Sequence, residues 1–147
     1  MSTSGVTVRD AIIEDAGVIA ALLGELGYPS EPSDVRARLG RLLTREDSRV
    51  FVAERSAKVL AVLGLHRVPV LTSPSDIAMI IALVVMERER RSGVGSLLIA
   101  RAEDEARVWR CGRIMVTSAE HRADAHTFYE RLGYQYTGRR FAKGVGP

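Results

Sequence analysis

The chain has 147 residues, 46% hydrophobic, 27% charged and 5% aromatic, with 13 glycines and 5 prolines. At this length roughly 68–70% of the surface exposed by the unfolded chain is buried on folding, so no disulfide or metal is needed to hold a core. The formal charge of +3 rests on 21 basic residues, of which only Lys58 and Lys143 are lysine; an arginine-rich surface suits planar contact with phosphate or carboxylate.

Taken in chain order, Val6 to Ile12 alternates enough to predict a first strand. Glu14 and Asp15 then favour a helix start. Its stripe is Val18, Ile19, Leu22, Leu23 and Leu26, and Gly27 with Pro29 ends it. A second helix is expected from Ser33, as cap, to Leu43, with Val35, Leu39, Leu42 and Leu43 inward. Strands at Val50 to Glu54 and Val59 to Val70, with a polar turn at Ser56 to Lys58, read as a hairpin. After the Leu71 to Asp76 loop, Ile77 to Met86 is apolar on both faces and is expected in the middle of the sheet. Next come a helix from Val94 to Arg110 (stripe Val94, Leu98, Ala102, Ala106 and Trp109), a strand at Arg113 to Thr117, a helix at Ala123 to Leu132 closed by Gly133, and a last strand at Tyr134 to Phe141. The sum is α/β, a mixed sheet flanked by helices, with residues 1–147 read as one domain because no repeat or linker interrupts them.

Other features narrow the class. Ile77 to Met86 is only about half a bilayer span, and MSTSGVTVRD has neither a basic leader nor an apolar secretory core, so no membrane association or export is expected. The sole cysteine, Cys111, points to a reducing cytoplasm. His66, His121 and His126 are scattered and no HExxH or CxxC occurs, so no metal site is predicted. The arginines form no concentrated arm and no recognition-helix pattern, so no nucleic-acid partner is expected.

The most informative segment is LVVMERERRSGVGSLLIARAEDEAR, where an apolar strand exits through Arg90, Arg91, Ser92, Gly93, Val94, Gly95 and Ser96 into an amphipathic helix. The glycines permit close backbone approach, the first helical turn leaves N–H groups unpaired, and the arginines add formal positive charge. Together these suit a diphosphate. A Walker A loop would need GxxxxGK[ST], and the dinucleotide fingerprint GxGxxG would need a glycine where Leu98 stands.

Here the sequence resembles the GCN5-related N-acetyltransferase (GNAT) superfamily, whose acetyl-coenzyme A turn follows [Q/R]xxGx[G/A]. Arg90, Gly93 and Gly95 occupy that pattern. A second signature, FYxxxGF or FYxxxGY before the last strand, is matched by Phe128, Tyr129, Gly133 and Tyr134 in SAEHRADAHTFYERLGYQYTGRRFAK, and the element order agrees over nearly the whole chain. Glu87 stands where proline is frequent in the family, and Arg122 where many relatives carry asparagine. The resemblance implies a single-domain GNAT fold: a mixed, mostly antiparallel twisted sheet of about six to seven strands flanked by about four helices. It also implies acetyl-CoA as co-substrate, a small amine as acceptor, and the homodimer common in the family.

Acetyl transfer to an amine needs a neutral nucleophile, a polarised carbonyl and a proton for the departing thiolate. The resemblance assigns Leu83, Val84 and Val85 to the backbone groups that align the pantetheine and meet the thioester oxygen. It assigns Tyr129 to protonation of the thiolate, with Ala125 one turn earlier admitting the coenzyme arm. An alkylamine with a pKa of about 10.4 is protonated at neutral pH, so a base is required. Glu120 and His121 follow the short strand and are the candidates. His66 reads as a hydrogen-bonded core residue, Trp109 as core, Tyr28 as a wall of the acceptor pocket, and Cys111 as remote from the chemistry, which favours direct transfer. His126 and Asp124 receive no role. The alternative is a non-catalytic acyl-CoA sensor on the same fold, which would bind without turnover.

Overall fold

A computed structural model describes residues 3–117 and 123–147 and divides the chain into two compact units, Met1–Met115 and Val116–Pro147. The first holds strand β1 (Val6–Asp10), helices α1 (Ala16–Leu26) and α2 (Pro32–Leu43), strands β2 (Ser48–Arg55), β3 (Lys58–Val68) and β4 (Ile77–Val85), and helix α3 (Val94–Val108). Strand β5 (Arg113–Val116) leads into the second unit, which carries α4 (Ala123–Arg131). The sheet runs β1-β2-β3-β4-β5, with β1 to β4 antiparallel neighbours. This is the open α/β sheet with flanking helices that the sequence leads one to expect.

Strand alternation assigns the two faces. Val50, Val52, Val62 and Val84 join Ala16, Ile19, Ala20 and Leu22 of α1 and Val35 and Leu39 of α2 in one apolar cluster. Phe51, Leu63 and Leu65 alternate with those valines, are fully buried, and belong to the face covered by Leu98, Ile99 and Ala102 of α3. The first crossover is pinned by Asp15, whose carboxylate accepts both Arg9 Nη atoms at 2.9 Å and the Ile12 N–H at 2.8 Å. Arg9 holds that carboxyl below its ordinary range.

Several boundaries differ from expectation. Helix α2 begins at Pro32 with Glu31 at the cap position, so Ser33 lies inside it; proline is favoured in a first turn because its missing N–H would be unpaired there anyway. Strand β4 is interior to the sheet, as expected, between β3 and β5, while β3 is the central one of the five strands among the described residues. The β3–β4 register slips between Gly64 and Leu65, so Ile81 is an extra residue on β4 and is left exposed. A Cβ on Gly64 would stand 3.2 Å from Ile81 Cγ1, which is why glycine suits the position facing the bulge.

The largest difference is at the C-terminus. Tyr134 to Phe141 is predicted as a sixth strand, but residues 134–147 carry no strand, and the sheet among the described residues has five. Alternating tyrosines mark a sequence able to enter a ladder; they do not supply one.

Candidate active site

The site is built from the end of β4 onward. Beyond the bulge, Leu83, Val84 and Val85 pair with Leu63, Val62 and Ala61; Val84 is buried, while Leu83 and Val85 are half-exposed. Met86 N–H extends the ladder to Leu60 O at 2.8 Å. The chain then makes the short helical turn Glu87–Glu89 and reaches Arg90, whose Nε donates to Val85 O at 3.3 Å, folding the side chain back over the strand end. Arg91 and Gly93 both take left-handed backbone, with φ of 65° and 94°. Gly93 is the cap residue of α3 and has no side-chain cap, and a Cβ there would come within 2.9 Å of Thr3 Cγ2.

The first backbone bond of α3 is donated by Leu97 to Gly93 O at 3.2 Å. The N–H groups of Val94, Gly95 and Ser96 precede it and have no acceptor in the helix ladder. These donors and the helix dipole share the turn with two exposed arginines, which fits a diphosphate. Within the turn Val94 and Gly95 are buried and Ser96 is half-exposed, while Ser92 is buried and gives its hydroxyl to Glu89 O.

In the second unit, α4 places Ala125 and Tyr129 four residues apart, both half-buried. Gly133, at φ 92°, reverses the chain, and Tyr134 N–H reaches Tyr129 O at 3.0 Å. The Tyr129 ring stacks edge-on with Phe128 at 5.1 Å and with Tyr134 at 5.9 Å. FYxxxGY is therefore a local aromatic cluster closed by a glycine turn. Glu120, His121 and Arg122 lie outside the described residues.

Other candidates have structural partners. His66 Nδ1 is 2.7 Å from the buried Ser48 Oγ, so the histidine is hydrogen-bonded as expected, but it is half-exposed near the end of β3 rather than core. Cys111 is half-buried beyond α3; burial first, and then the charge of Asp76, raise its thiol pKa against an opposing effect of Arg67, which keeps it protonated and poorly nucleophilic. Trp109 is only half-buried and carries Arg49 at 5.1 Å and Arg67 at 5.4 Å from its ring, so it is a cation–π platform rather than core. Tyr28 is exposed after α1, with Ser30 Oγ bonding its carbonyl at 3.1 Å.

Sequence reasoning missed an open depression beside the end of β4, lined by Glu25, Met86, Glu87 and Arg88, in which Glu25 Oε1 accepts the Glu87 N–H at 3.4 Å. No periodicity links Glu25 to Glu87, which are 62 residues apart. Among the described residues no group of three His, Cys, Asp or Glu could hold a metal ion, and no helix is long and apolar enough to cross a membrane.

The fold, the glycine turn and the aromatic helix agree with a family model. Residues 17–134 match the acetyltransferase (GNAT) family, and the chain belongs to it. It is 33% identical over 140 residues to the aminoalkylphosphonate N-acetyltransferase of Salmonella typhimurium, an alignment covering 94% of this chain and 90% of that one. Two solved structures share the fold. A transcriptional regulator from Bacillus halodurans matches with a TM-score of 0.88 at 24% identity, covering 95% of this chain and 99% of that one. A GNAT family acetyltransferase from Staphylococcus aureus matches with a TM-score of 0.81 at 21% identity, covering 96% and 99%.

Proposed function

We propose that the protein moves an acetyl group from acetyl-CoA to the primary amine of a small molecule by direct transfer. The observation carrying this reading is the start of α3: three N–H groups ahead of the first helical bond, a left-handed glycine cap, and Arg90 and Arg91 beside them. Acetyl-CoA, when bound, supplies a thioester acyl group and a thiol leaving group. Val94, Gly95 and Ser96 donate backbone hydrogen bonds to its diphosphate, and Arg90 and Arg91 supply charge. The backbone of Leu83 to Val85 aligns the pantetheine. Glu120 or His121 takes the proton of the acceptor ammonium, the amine nitrogen bonds the acyl carbon as the carbon–sulfur bond breaks, the Tyr129 phenol gives its proton to the sulfur, and the nitrogen's surplus proton passes to the phenolate and restores it.

For the acceptor we propose an aminoalkylphosphonate or a similar zwitterion. The Salmonella relative's activity suggests it, and the depression beside β4 supports it by presenting Glu25 and Glu87 for an ammonium and Arg88 for an anion. The reaction is placed in the cytoplasm, and a homodimer is the proposed assembly.

Thermal unfolding with acetyl-CoA tests the coenzyme site. At 100 times its dissociation constant the ligand stabilises the folded state by about 2.7 kcal/mol. Gly95→Asp removes this shift, because a side chain and a negative charge enter the donor cluster; an undiminished shift places the coenzyme elsewhere. Tyr129→Phe keeps the shift and lowers kcat on aminoethylphosphonate by about 10²-fold. Wild-type binding without thiol release over an amine panel identifies the sensor instead.

A further inference from the structure

The coenzyme turn stands on a buried carboxylate that the proposed reaction does not use. Glu89 is 5% exposed, and both its oxygens lie 3.2 Å from Nη1 of Arg55 at the end of β2. Arg55 also donates from Nε to Ser4 O at 3.4 Å. The Glu89 carbonyl accepts the Ser92 hydroxyl, and Thr3 closes the space that a Cβ on Gly93 would need. Residues 3 and 4 and the end of β2 therefore back the segment that leads into the first N–H groups of α3.

Two physical points make this more than a stability contact. A bare carboxylate one residue before Arg90 would oppose an anion at this turn, and a buried one without a partner is costly; pairing with Arg55 makes the unit neutral. Arg91 holds φ at 65°, a conformation unfavourable for a non-glycine residue, and such backbone persists where its surroundings over-determine it. The Ser92–Glu89 bond and the Arg55–Glu89 pair constrain the adjoining residues.

We propose that Arg55 and Glu89 are positioning residues for the coenzyme: the pair locks the turn so that the N–H groups of Val94, Gly95 and Ser96 are aligned before ligand arrives, and Arg55 screens the Glu89 charge from the diphosphate. This rests on the coenzyme binding at that turn. The test is calorimetric titration of CoA into wild type, Arg55→Met, Glu89→Gln and Arg55→Lys, with circular dichroism confirming the fold. Arg55→Met, which unlocks the turn and bares the carboxylate, weakens CoA about tenfold. Glu89→Gln, which only unlocks it, weakens CoA about threefold, and Arg55→Lys falls between wild type and Arg55→Met.

The coenzyme KM rises in the same order, saturating coenzyme recovers the rate, and the acceptor KM measured at saturation stays level. A merely structural pair would not split the two KM values in this way. Tighter CoA binding by Glu89→Gln would mean that the carboxylate acts only as a repulsive charge and would overturn the positioning role, as would unchanged affinity in Arg55→Met. Should Arg55→Met not fold, equal affinities in wild type, Arg55→Lys and Glu89→Gln overturn it. Failure of wild type to bind CoA removes the coenzyme site itself, a result distinct from wild-type binding with unaltered variants.

Discussion

The two ends of helix α3 are built on opposite principles. At its C-terminal end the chain satisfies itself: Trp109 N–H reaches Glu105 O and Cys111 N–H reaches Ala106 O, both at 2.9 Å, around Arg110 in left-handed conformation at φ 59°. The side chains close on one another as well. Buried Glu105 pairs with Arg49 at 3.3 Å and Arg101 at 2.9 Å, and Arg49 and Arg67 flank Trp109. At the N-terminal end three N–H groups precede the first helical bond, and the cap residue Gly93 has no side chain to bond them. A helix end the chain closes with its own groups is support, whereas one with N–H groups that the helix itself does not use is suited to an anion.

The sharpest way to break this comparison is Glu105→Leu. It leaves two guanidiniums beside the α3 face without their buried carboxylate, and because both are about a third exposed the loss is near 2 kcal/mol rather than the larger value for a dry pair. Urea unfolding reads that loss, while the stabilisation by acetyl-CoA stays intact. Disappearance of the coenzyme shift in a folded Glu105→Leu protein would mean that the two ends are not independent.

Arg90→Ala acts the other way. On the proposed coenzyme site the exposed guanidinium serves ligand binding, so CoA affinity is expected to fall about tenfold, or about 1.4 kcal/mol, with little change in unliganded stability. The loss shrinks at high salt, where charge contacts are screened. The smallest effect is expected from Cys111→Ser. With the thiol held protonated, turnover remains within twofold and stability changes by about 1 kcal/mol or less. A collapse of turnover would replace direct transfer with a covalent acetyl-cysteine route.

The local geometry of the candidate site is legible in the sequence because it depends on neighbouring residues. Gly93, Gly95 and the arginines before them sit within one turn of the strand exit, and the helix stripe from Val94 through Ala106 follows from a 3.6-residue period alone. The aromatic cluster of Phe128, Tyr129 and Tyr134 is equally local, with Gly133 making its turn. Trp109 departs from the core place its stripe predicts because a stripe position says which way a side chain points, not whether arginines from two strands will meet it there.

The sequence by itself determined the succession of strands and helices, the donor-bearing turn and the family, since each rests on residues a few positions apart whose backbone preferences and periodicity act over short range. Tertiary structure alone decided that Arg55 meets Glu89 from 34 positions away, that Ile81 is squeezed out opposite Gly64, and that Tyr134 to Phe141 forms no strand. Ion pairs, bulges and ladders need a partner brought in from elsewhere in the chain, and local propensity cannot specify which partner arrives.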